Sequence, residues 1–283
     1  MKLLDGKQCS ERMLAGLKDR IARLPVQPGL GVILVGDDPA SHLYVRLKSV
    51  AAQRLGITLT RAFFPKDARQ EEVEQAIEKF NADRAIHGIL LQLPLPAPLD
   101  TDTLISRICP EKDADGFHPQ NESRLFAGEE TLPPVFPQAI LELLRLSEES
   151  LPGKRAVVLG NSKRFLEVMV RLLSDQGVSL ETFLPDKTPL SEETVSAMRA
   201  ADIVVSACGK PNLISGGMLK VGAVVIDGGI VQCGTRVMGD VDRASTEGLD
   251  IFLSPVPGGV GPVTIACLLS NVVTAAERFS VKV

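Results

Sequence analysis

The sequence predicts an α/β protein made of two α/β domains around a cleft, the second of them Rossmann-like. Short apolar runs alternate along the chain with helix-period patterns, as in parallel sheets with right-handed crossovers. After Pro152 and Gly153 a second series begins, in which an apolar run ends in glycine just before a helix. With 283 residues, 45% of them hydrophobic, the chain is long enough for two modest cores.

The first series of elements opens with an amphipathic helix over residues 8–24 and the apolar strand Leu30–Val35. Ser41 is expected to cap the next helix, which runs to about Leu55. A strand over Ile57–Phe64, a helix over Gln70–Asn81 and a buried strand over His87–Gln92 follow. We assign residues 1–138 to the first domain, and expect residues 265–283, with the final helix Ile265–Arg278, to pack back onto it.

The second series follows a bridging helix over Pro137–Leu146 and is assigned to a domain of residues 139–264. A helix from Lys163 to about Gln176 follows its first strand. The predicted strands of this domain are Arg155–Gly160, Ser179–Leu184, Asp202–Ala207 and Ala223–Asp227.

The composition argues against several classes of function. A net charge of −4 and the lack of tryptophan argue against nucleic acid as a partner. The five cysteines form no CxxC pair, which is typical of reduced thiols in the cytoplasm, and the three histidines show no metal-ligand spacing. The sequence shows neither an 18-residue apolar run nor a signal peptide, so no membrane partner is expected.

Tyr44 and Lys48 are the first candidate site residues. They lie four residues apart on the helix after Leu30–Val35, and therefore share a face just beyond the end of a strand. A phenol beside an amine suits aromatic stacking and proton transfer. The alternative is a surface helix with a solvated lysine.

Gln92 and Asp115 are the next candidates. Gln92 ends a buried strand at the edge where open α/β sheets bind ligands, although it would equally tie down the proline-rich turn that follows. Asp115 lies in a loop that we expect over Pro110–Pro119. It either forms a turn before Gly116 or accepts hydrogen bonds from an N–H-rich heterocycle.

The second domain carries an anion-binding pattern. Gly160, Asn161 and Ser162 follow a strand and open a helix, which directs backbone N–H groups at a phosphate. The full G-x-G-x-x-G is absent. Asp186 follows the next strand, where a dinucleotide fold binds ribose hydroxyls. The run Ser254–Thr264 is a rigid loop of glycines and prolines that allows a ligand close to the backbone.

Together these stretches resemble the methylenetetrahydrofolate dehydrogenase/cyclohydrolase family over nearly the whole chain. The resemblance rests on the segments 35–48, 88–96, 112–119, 202–211, 239–242 and 255–264. It implies oxidation of 5,10-methylenetetrahydrofolate to the 5,10-methenyl form with NADP, followed by hydrolysis to 10-formyltetrahydrofolate, in a cytoplasmic homodimer.

The resemblance also implies residue roles. Lys48 is the proton-handling group, held by Gln92, while Tyr44 stacks on the aminobenzoyl ring and Asp115 binds the pterin. Folate-binding residues implied in addition are Leu91, Leu93, Pro257, Gly258 and Gly259. Cofactor-binding residues implied are Gly160, Asn161, Ser162, Asp186, Cys208, Gly209, Ile230 and Thr264.

Departures from the family pattern concentrate in the cofactor half. Asn161 replaces an arginine that pairs with phosphate, Leu166 replaces a glycine, and Pro185-Asp186 replaces a His-Ser pair or similar. Asp186 would repel a 2′-phosphate and suit free hydroxyls, so NAD is the cofactor that local charge predicts, while NADP is the family default. Lys163, Arg164 and Lys187 are candidates to compensate.

Three alternative functions stay open at this point. One is a cyclohydrolase with an impaired dinucleotide site, and another is a folate-binding protein without turnover. The third is an unrelated nucleotide-dependent dehydrogenase, which the folate-loop motifs disfavour.

Overall fold

The computed structural model of the protein describes residues 1–234 and 236–281. The chain divides into two compact units. The first unit comprises Glu11–Val135 and the C-terminal residues from Ile265 onward, and the second comprises Met1–Ser10 and Phe136–Thr264. The sequence grouped residues 1–138 together, whereas Met1–Ser10 lie with the second unit because Lys2–Leu3 pair as a strand with Phe252–Leu253.

The elements follow the predicted alternation. They are β1 (Lys2–Leu3), α1 (Gly6–Ile21), β2 (Gly29–Val35), α2 (Pro39–Arg54), β3 (Thr58–Phe64), α3 (Gln70–Ala82), β4 (Gly88–Leu91), α4 (Thr101–Arg107), α5 (Pro119–Ala127) and α6 (Val135–Arg145). There follow β5 (Arg155–Gly160), α7 (Lys163–Ser174), β6 (Ser179–Phe183), α8 (Glu192–Ala200), β7 (Ile203–Ala207), β8 (Val224–Asp227), β9 (Val231–Cys233), β10 (Arg236–Met238), β11 (Phe252–Leu253) and α9 (Val260–Val281).

The first unit is built on a three-stranded parallel sheet in the order β3-β2-β4. Every residue of β2 and β4 is buried, as their continuous apolar runs predict. Ile33 and Leu91 pack with Ile77 and Phe80 of α3 in one core cluster. The carboxyl ends of β2 and β4 therefore lie side by side at one edge of the sheet.

The prediction that Ser41 caps α2 is wrong. Asp38 is the N-cap, and its carboxylate accepts a hydrogen bond from the Ser41 backbone N–H (2.8 Å). The helix starts at Pro39, which suits the first helical position because that position needs no N–H donor. The earlier start leaves Tyr44 and Lys48 one turn apart on the same face.

The second unit contains a six-stranded parallel sheet in the order β1-β11-β8-β7-β5-β6. The strands β5, β7 and β8 are adjacent, so Gly160, Ala207 and Asp227 all end at one edge. A separate antiparallel hairpin joins β9 and β10. This sheet confirms the predicted Rossmann-like fold class.

Several helices differ from the prediction. The sequence analysis did not identify α4, α5 or α8, and α5 begins at Pro119, where only a loop was expected. The last helix begins at Val260 rather than Ile265, so Thr264 lies inside α9, where its hydroxyl donates to the Val260 carbonyl (3.0 Å).

The length and composition of α9 are those of a membrane-spanning helix: its span Val260–Ser280 has a mean hydropathy of 1.4. Polar residues interrupt this span, and the sequence analysis did not count it as an apolar run. Of its most apolar window, 61% is buried within the protein. Core helices of globular proteins have the same composition, so this similarity is weak evidence for a membrane.

Candidate active site

Lys48 is held at the carboxyl edge of the first unit's sheet. Its side chain is nearly buried, and its Nζ donates a hydrogen bond to Oε1 of Gln92 (3.1 Å). The other end of that amide, Nε2, donates to the Leu93 carbonyl (2.6 Å), which directs Oε1 toward the lysine. The Gln92 backbone N–H donates to the Ile33 carbonyl and so continues the pairing of β4 with β2 (2.9 Å). Gln92 therefore fixes the position of the ammonium group relative to the sheet.

Asp115 lies in a loop that buried polar groups hold on both sides. The Asp113 carboxylate accepts hydrogen bonds from the backbone N–H groups of Gly116 (3.0 Å) and His118 (2.7 Å). Asn271 of α9 donates through Nδ2 to the carbonyl before Asp115, that of Ala114 (3.0 Å). The backbone on both sides of Asp115 is thus held by groups that do not themselves belong to the predicted site.

Gly116 is required by the shape of this loop. Its φ of +75° lies in the left-handed region, and a Cβ at this position would lie 2.3 Å from the Pro133 carbonyl oxygen. Asn271 Nδ2, which donates to the Ala114 carbonyl, donates its second hydrogen bond to this Pro133 carbonyl (3.0 Å). The segments around residues 114–116 and 133 are therefore joined by one buried amide.

The surroundings of Asp115 disfavour the ionised form of its carboxyl group. Burial raises the pKa of its carboxyl group, the nearby Lys48 ammonium lowers it, and the Asp113 carboxylate raises it again. The net shift is upward. A carboxyl group in such surroundings is ready to accept or donate hydrogen bonds to a polar ring that displaces water.

The turn after β5 in the second unit is suited to a phosphate group. Ser162 caps α7, its Oγ accepting from the Phe165 N–H (3.3 Å), and the first turn of the helix contains no acidic residue. Asn161, Ser162 and Lys163 are exposed. A helix N-terminus with an adjacent lysine attracts anions, so these residues fit the diphosphate of a dinucleotide.

Leu166 stands where the sequence analysis expected a glycine for close approach. It is buried in the second unit, and a Cβ on Gly160 would lie 2.7 Å from Phe165 Cδ1 and 3.0 Å from Leu166 Cδ2. The missing Cβ of Gly160 therefore makes room for both side chains against the end of β5. The strand β5 and the helix α7 therefore still pack closely, although α7 carries leucine rather than glycine at position 166.

The other predicted cofactor and loop residues also lie in the second unit. Asp186 is exposed after β6, while Cys208 is buried after β7, where burial raises the pKa of its thiol to about 11. Gly209 (φ +64°) and Gly258 (φ +106°) both adopt the left-handed backbone conformation. Ile230 is exposed after β8, and Pro257 and Gly259 flank Gly258 just before α9.

Two family models match the chain. The model of the tetrahydrofolate dehydrogenase/cyclohydrolase catalytic domain matches residues 4–115, and the model of the NAD(P)-binding domain of the same family matches residues 134–280. The chain belongs to the tetrahydrofolate dehydrogenase/cyclohydrolase family.

Individual relatives agree with this family. The chain is 41% identical to the bifunctional protein FolD of Nautilia profundicola, with 100% of both chains covered. It is similar to the crystal structure of the bifunctional FolD enzyme from Campylobacter jejuni (TM-score 0.91, 36% identity, 98% and 99% covered). The FolD structure from Trypanosoma brucei, complexed with NADP cofactor and an inhibitor, has a TM-score of 0.91 at 34% identity, with 99% and 98% covered.

Membership of this dehydrogenase/cyclohydrolase family confirms the predicted pair of activities and the nicotinamide cofactor. No role was assigned from the sequence to Asp113 and Asn271, which hold the Asp115 loop in the first unit, or to Asp227 and Asp240, which are buried in the second unit. Asp113 and Asp240 were within reach, since they belong to the segments 112–119 and 239–242 that carry the resemblance. Asn271 gives no signal in the sequence, because it looks like a polar interruption of an apolar helix.

Proposed function

We propose that Lys48 moves the protons of the cyclohydrolase reaction, that Gln92 orients Lys48, and that Tyr44 and Asp115 hold the folate for both reactions. The contact between Lys48 Nζ and Gln92 Oε1 carries this proposal, because a general acid or base must be fixed within reach of its substrate. The half-buried Tyr44 one turn away offers its ring to the aminobenzoyl group.

The oxidation requires positioning more than proton transfer. Bound NADP supplies the acceptor for the hydride that leaves the methylene bridge of the substrate. The chain's own contribution is to hold the folate, with Asp115 accepting from the pterin N–H groups and Leu91 and Leu93 beside it. Gly160, Asn161 and Ser162 would bind the cofactor diphosphate, Asp186 the adenosine ribose, and Cys208, Gly209, Ile230 and Thr264 the remainder.

The hydrolysis requires a proton acceptor and a proton donor. Water adds to the electrophilic methenyl carbon and loses a proton, which Lys48 Nζ accepts. When the bond from this carbon to the ring nitrogen breaks, the nitrogen takes up a proton, which the Lys48 ammonium donates. The second proton of the water leaves as the formyl C=O forms, so that one proton is released overall. One residue held in one place thus performs both transfers.

The same proposal extends to cofactor choice and assembly. NADP is the expected cofactor, with Lys163 and Lys187 supplying positive charge near the exposed Asn161 and Asp186. The location in the cytoplasm and the homodimer stay predictions of the family resemblance, together with the contribution of Pro257, Gly258 and Gly259 to folate binding.

The direct test is a spectroscopic assay of the purified protein with 5,10-methylenetetrahydrofolate, run separately with NADP and with NAD. Hydrolysis of the methenyl compound is followed in parallel without cofactor. Reduction of NADP together with hydrolysis is the expected result. Reduction of NAD alone would mean that Asp186 decides the choice, and hydrolysis without reduction of either cofactor would contradict the dehydrogenase assignment.

A further inference from the structure

Asp240 has no role in the reactions described above, yet it is fully buried at the end of the sheet in the second unit. Its Oδ2 accepts hydrogen bonds from the Ser206 hydroxyl (2.6 Å) and the Cys208 N–H (2.7 Å). Its Oδ1 accepts from the Lys210 N–H (2.7 Å). One carboxylate therefore holds both sides of the turn that follows β7, the turn that contains Gly209.

Asp227 holds Asp240 in turn. It ends β8, and its Oδ1 accepts from the backbone N–H groups of Gly229 (3.0 Å) and Asp240 (2.9 Å). Its Oδ2 accepts from the Val241 N–H (2.9 Å). The Asp227 carboxylate thus fixes both the backbone of Asp240 and the glycine turn that leads to Ile230.

Two glycines make this arrangement possible. A Cβ on Gly229 would lie 2.2 Å from Asp240 Oδ1, and a Cβ on Gly239 would lie 2.1 Å from Asp227 Oδ2. Each carboxylate therefore occupies the space that a side chain would need on the opposite loop. The contacts are specific to this pair of loops, since neither glycine tolerates even a methyl group without moving a buried carboxylate.

Burying these two carboxylates lowers the stability of the folded protein. Both carboxylates are buried, and the hydrogen bonds described above come from backbone N–H groups and one hydroxyl. Burial and the neighbouring Asp240 charge raise the pKa of Asp227 against the backbone hydrogen bonds that lower it, and the net result is about 6. Apolar residues in such a place are often as stable or more stable, so the cost suggests that the position of the loops matters.

We propose that Asp240 is a positioning residue for the cofactor-binding loop 206–210, and that Asp227 acts through Asp240. The proposal rests on the proposed function in one respect, namely that Cys208, Gly209 and Ile230 contact the nicotinamide cofactor. Asp240 itself touches neither substrate nor cofactor. It sets the backbone geometry at the ends of β7 and β8, from which those contacts are made.

The two activities of this family provide the test, because hydrolysis of the methenyl compound needs no cofactor. In Asp240→Asn one acceptor becomes an NH₂ group facing backbone N–H donors, which loses at least one charge-assisted hydrogen bond. We expect kcat/KM for NADP to fall by about tenfold or more. Cyclohydrolase activity without cofactor should stay within about twofold of wild type, because hydrolysis does not use this loop.

Two further variants complete the experiment. Asp242→Asn is the matched control: within the described part of the chain its carboxylate accepts from the nearby N–H groups of Ala244 (3.2 Å) and Ser245 (3.5 Å), so neither activity should change. Ser206→Ala removes a single hydroxyl donor and is the milder variant if Asp240→Asn does not fold. Ser206→Ala should lower kcat/KM for NADP by about threefold, again without an effect on hydrolysis.

Direct titration of NADP by calorimetry separates this inference from the proposed catalytic role of Lys48, since it needs no turnover. Weaker NADP binding in Asp240→Asn with retained hydrolysis supports the inference. A parallel loss of both activities would show a purely structural role and overturn it. Unchanged NADP binding in Asp240→Asn, or in Ser206→Ala if only that variant folds, would overturn it as well.

Discussion

Replacing Asn271 by leucine removes the buried amide that joins the Asp115 loop to the segment around Pro133. Leucine has a similar volume, so the packing of α9 changes little while two hydrogen bonds are lost. The carbonyls of Ala114 and Pro133, each 3.0 Å from Asn271 Nδ2, then lose this donor. A buried acceptor without a partner costs about 1–3 kcal/mol, so the free energy of unfolding should fall by about 2–4 kcal/mol.

Urea denaturation followed by circular dichroism measures this loss, which at an m-value of about 3 kcal/mol/M corresponds to a midpoint lower by about 0.7–1.3 M. The KM for the folate substrate should rise as well, because the loop that directs Asp115 is less well held. Ser270→Ala on the neighbouring residue is the control: it loses a long hydrogen bond from Arg20 Nη1 (3.4 Å) and should stay within about 0.5 kcal/mol of wild type. A free energy of unfolding for Asn271→Leu equal to that of the control would refute the reasoning.

Two further predictions concern conformation and pH. Gly116→Ala places a Cβ on a left-handed backbone and 2.3 Å from the Pro133 carbonyl oxygen, whereas Gly56→Ala has a similar φ of +77° and open space around the new Cβ. Thermal unfolding should show a stability loss of about 1 kcal/mol for Gly56→Ala and at least twice that for Gly116→Ala. Equal losses would contradict the steric argument. The folded-state pKa of Asp227 is about 6, above its ordinary 3.8, so the folded protein keeps a proton that the unfolded chain releases. Its contribution to stability is therefore present below about pH 4 and falls by about 3 kcal/mol as pH rises through 6. In urea titrations from pH 4 to 7 this component should be missing in Asp227→Asn, and identical pH profiles would rule it out.

Periodicity was enough to predict β2 to β8, because buried parallel strands are short continuous apolar runs. It did not predict β1 and β11 of the second sheet, which are only two residues long, or the hairpin strands β9 and β10. The runs over β2, β4, β5 and β7 left little choice of conformation. Short polar helices were missed, since α5 is specified by its caps rather than by an apolar face: the His118 side chain accepts at its start, and Gly128 ends it in the left-handed conformation.

The candidate site was predictable where residues of one element share a face, as Tyr44 and Lys48 do. Where distant segments meet through buried polar groups, the resemblance implied the contact of Lys48 with Gln92 but not those of Asn271 or Asp240. Asn271 reaches Ala114 across the fold, and Asp240 reaches Ser206 in the same way. Only tertiary contact gives these side chains partners, so neither local pattern nor composition distinguishes them from ordinary polar residues.

Lys48 is proposed to transfer the protons of the hydrolysis, and the Lys48→Met variant tests this role. Methionine is similar in length to the lysine side chain but carries no charge. The measurement is the rate of methenyltetrahydrofolate hydrolysis at saturating substrate, with folate binding titrated separately and Arg46→Met, on the exposed face of α2, as control. The rate should fall by about 100-fold or more in Lys48→Met, hydride transfer should fall much less, and the control should change little. Hydrolysis within about twofold of wild type, with folate still bound, would contradict this role of Lys48.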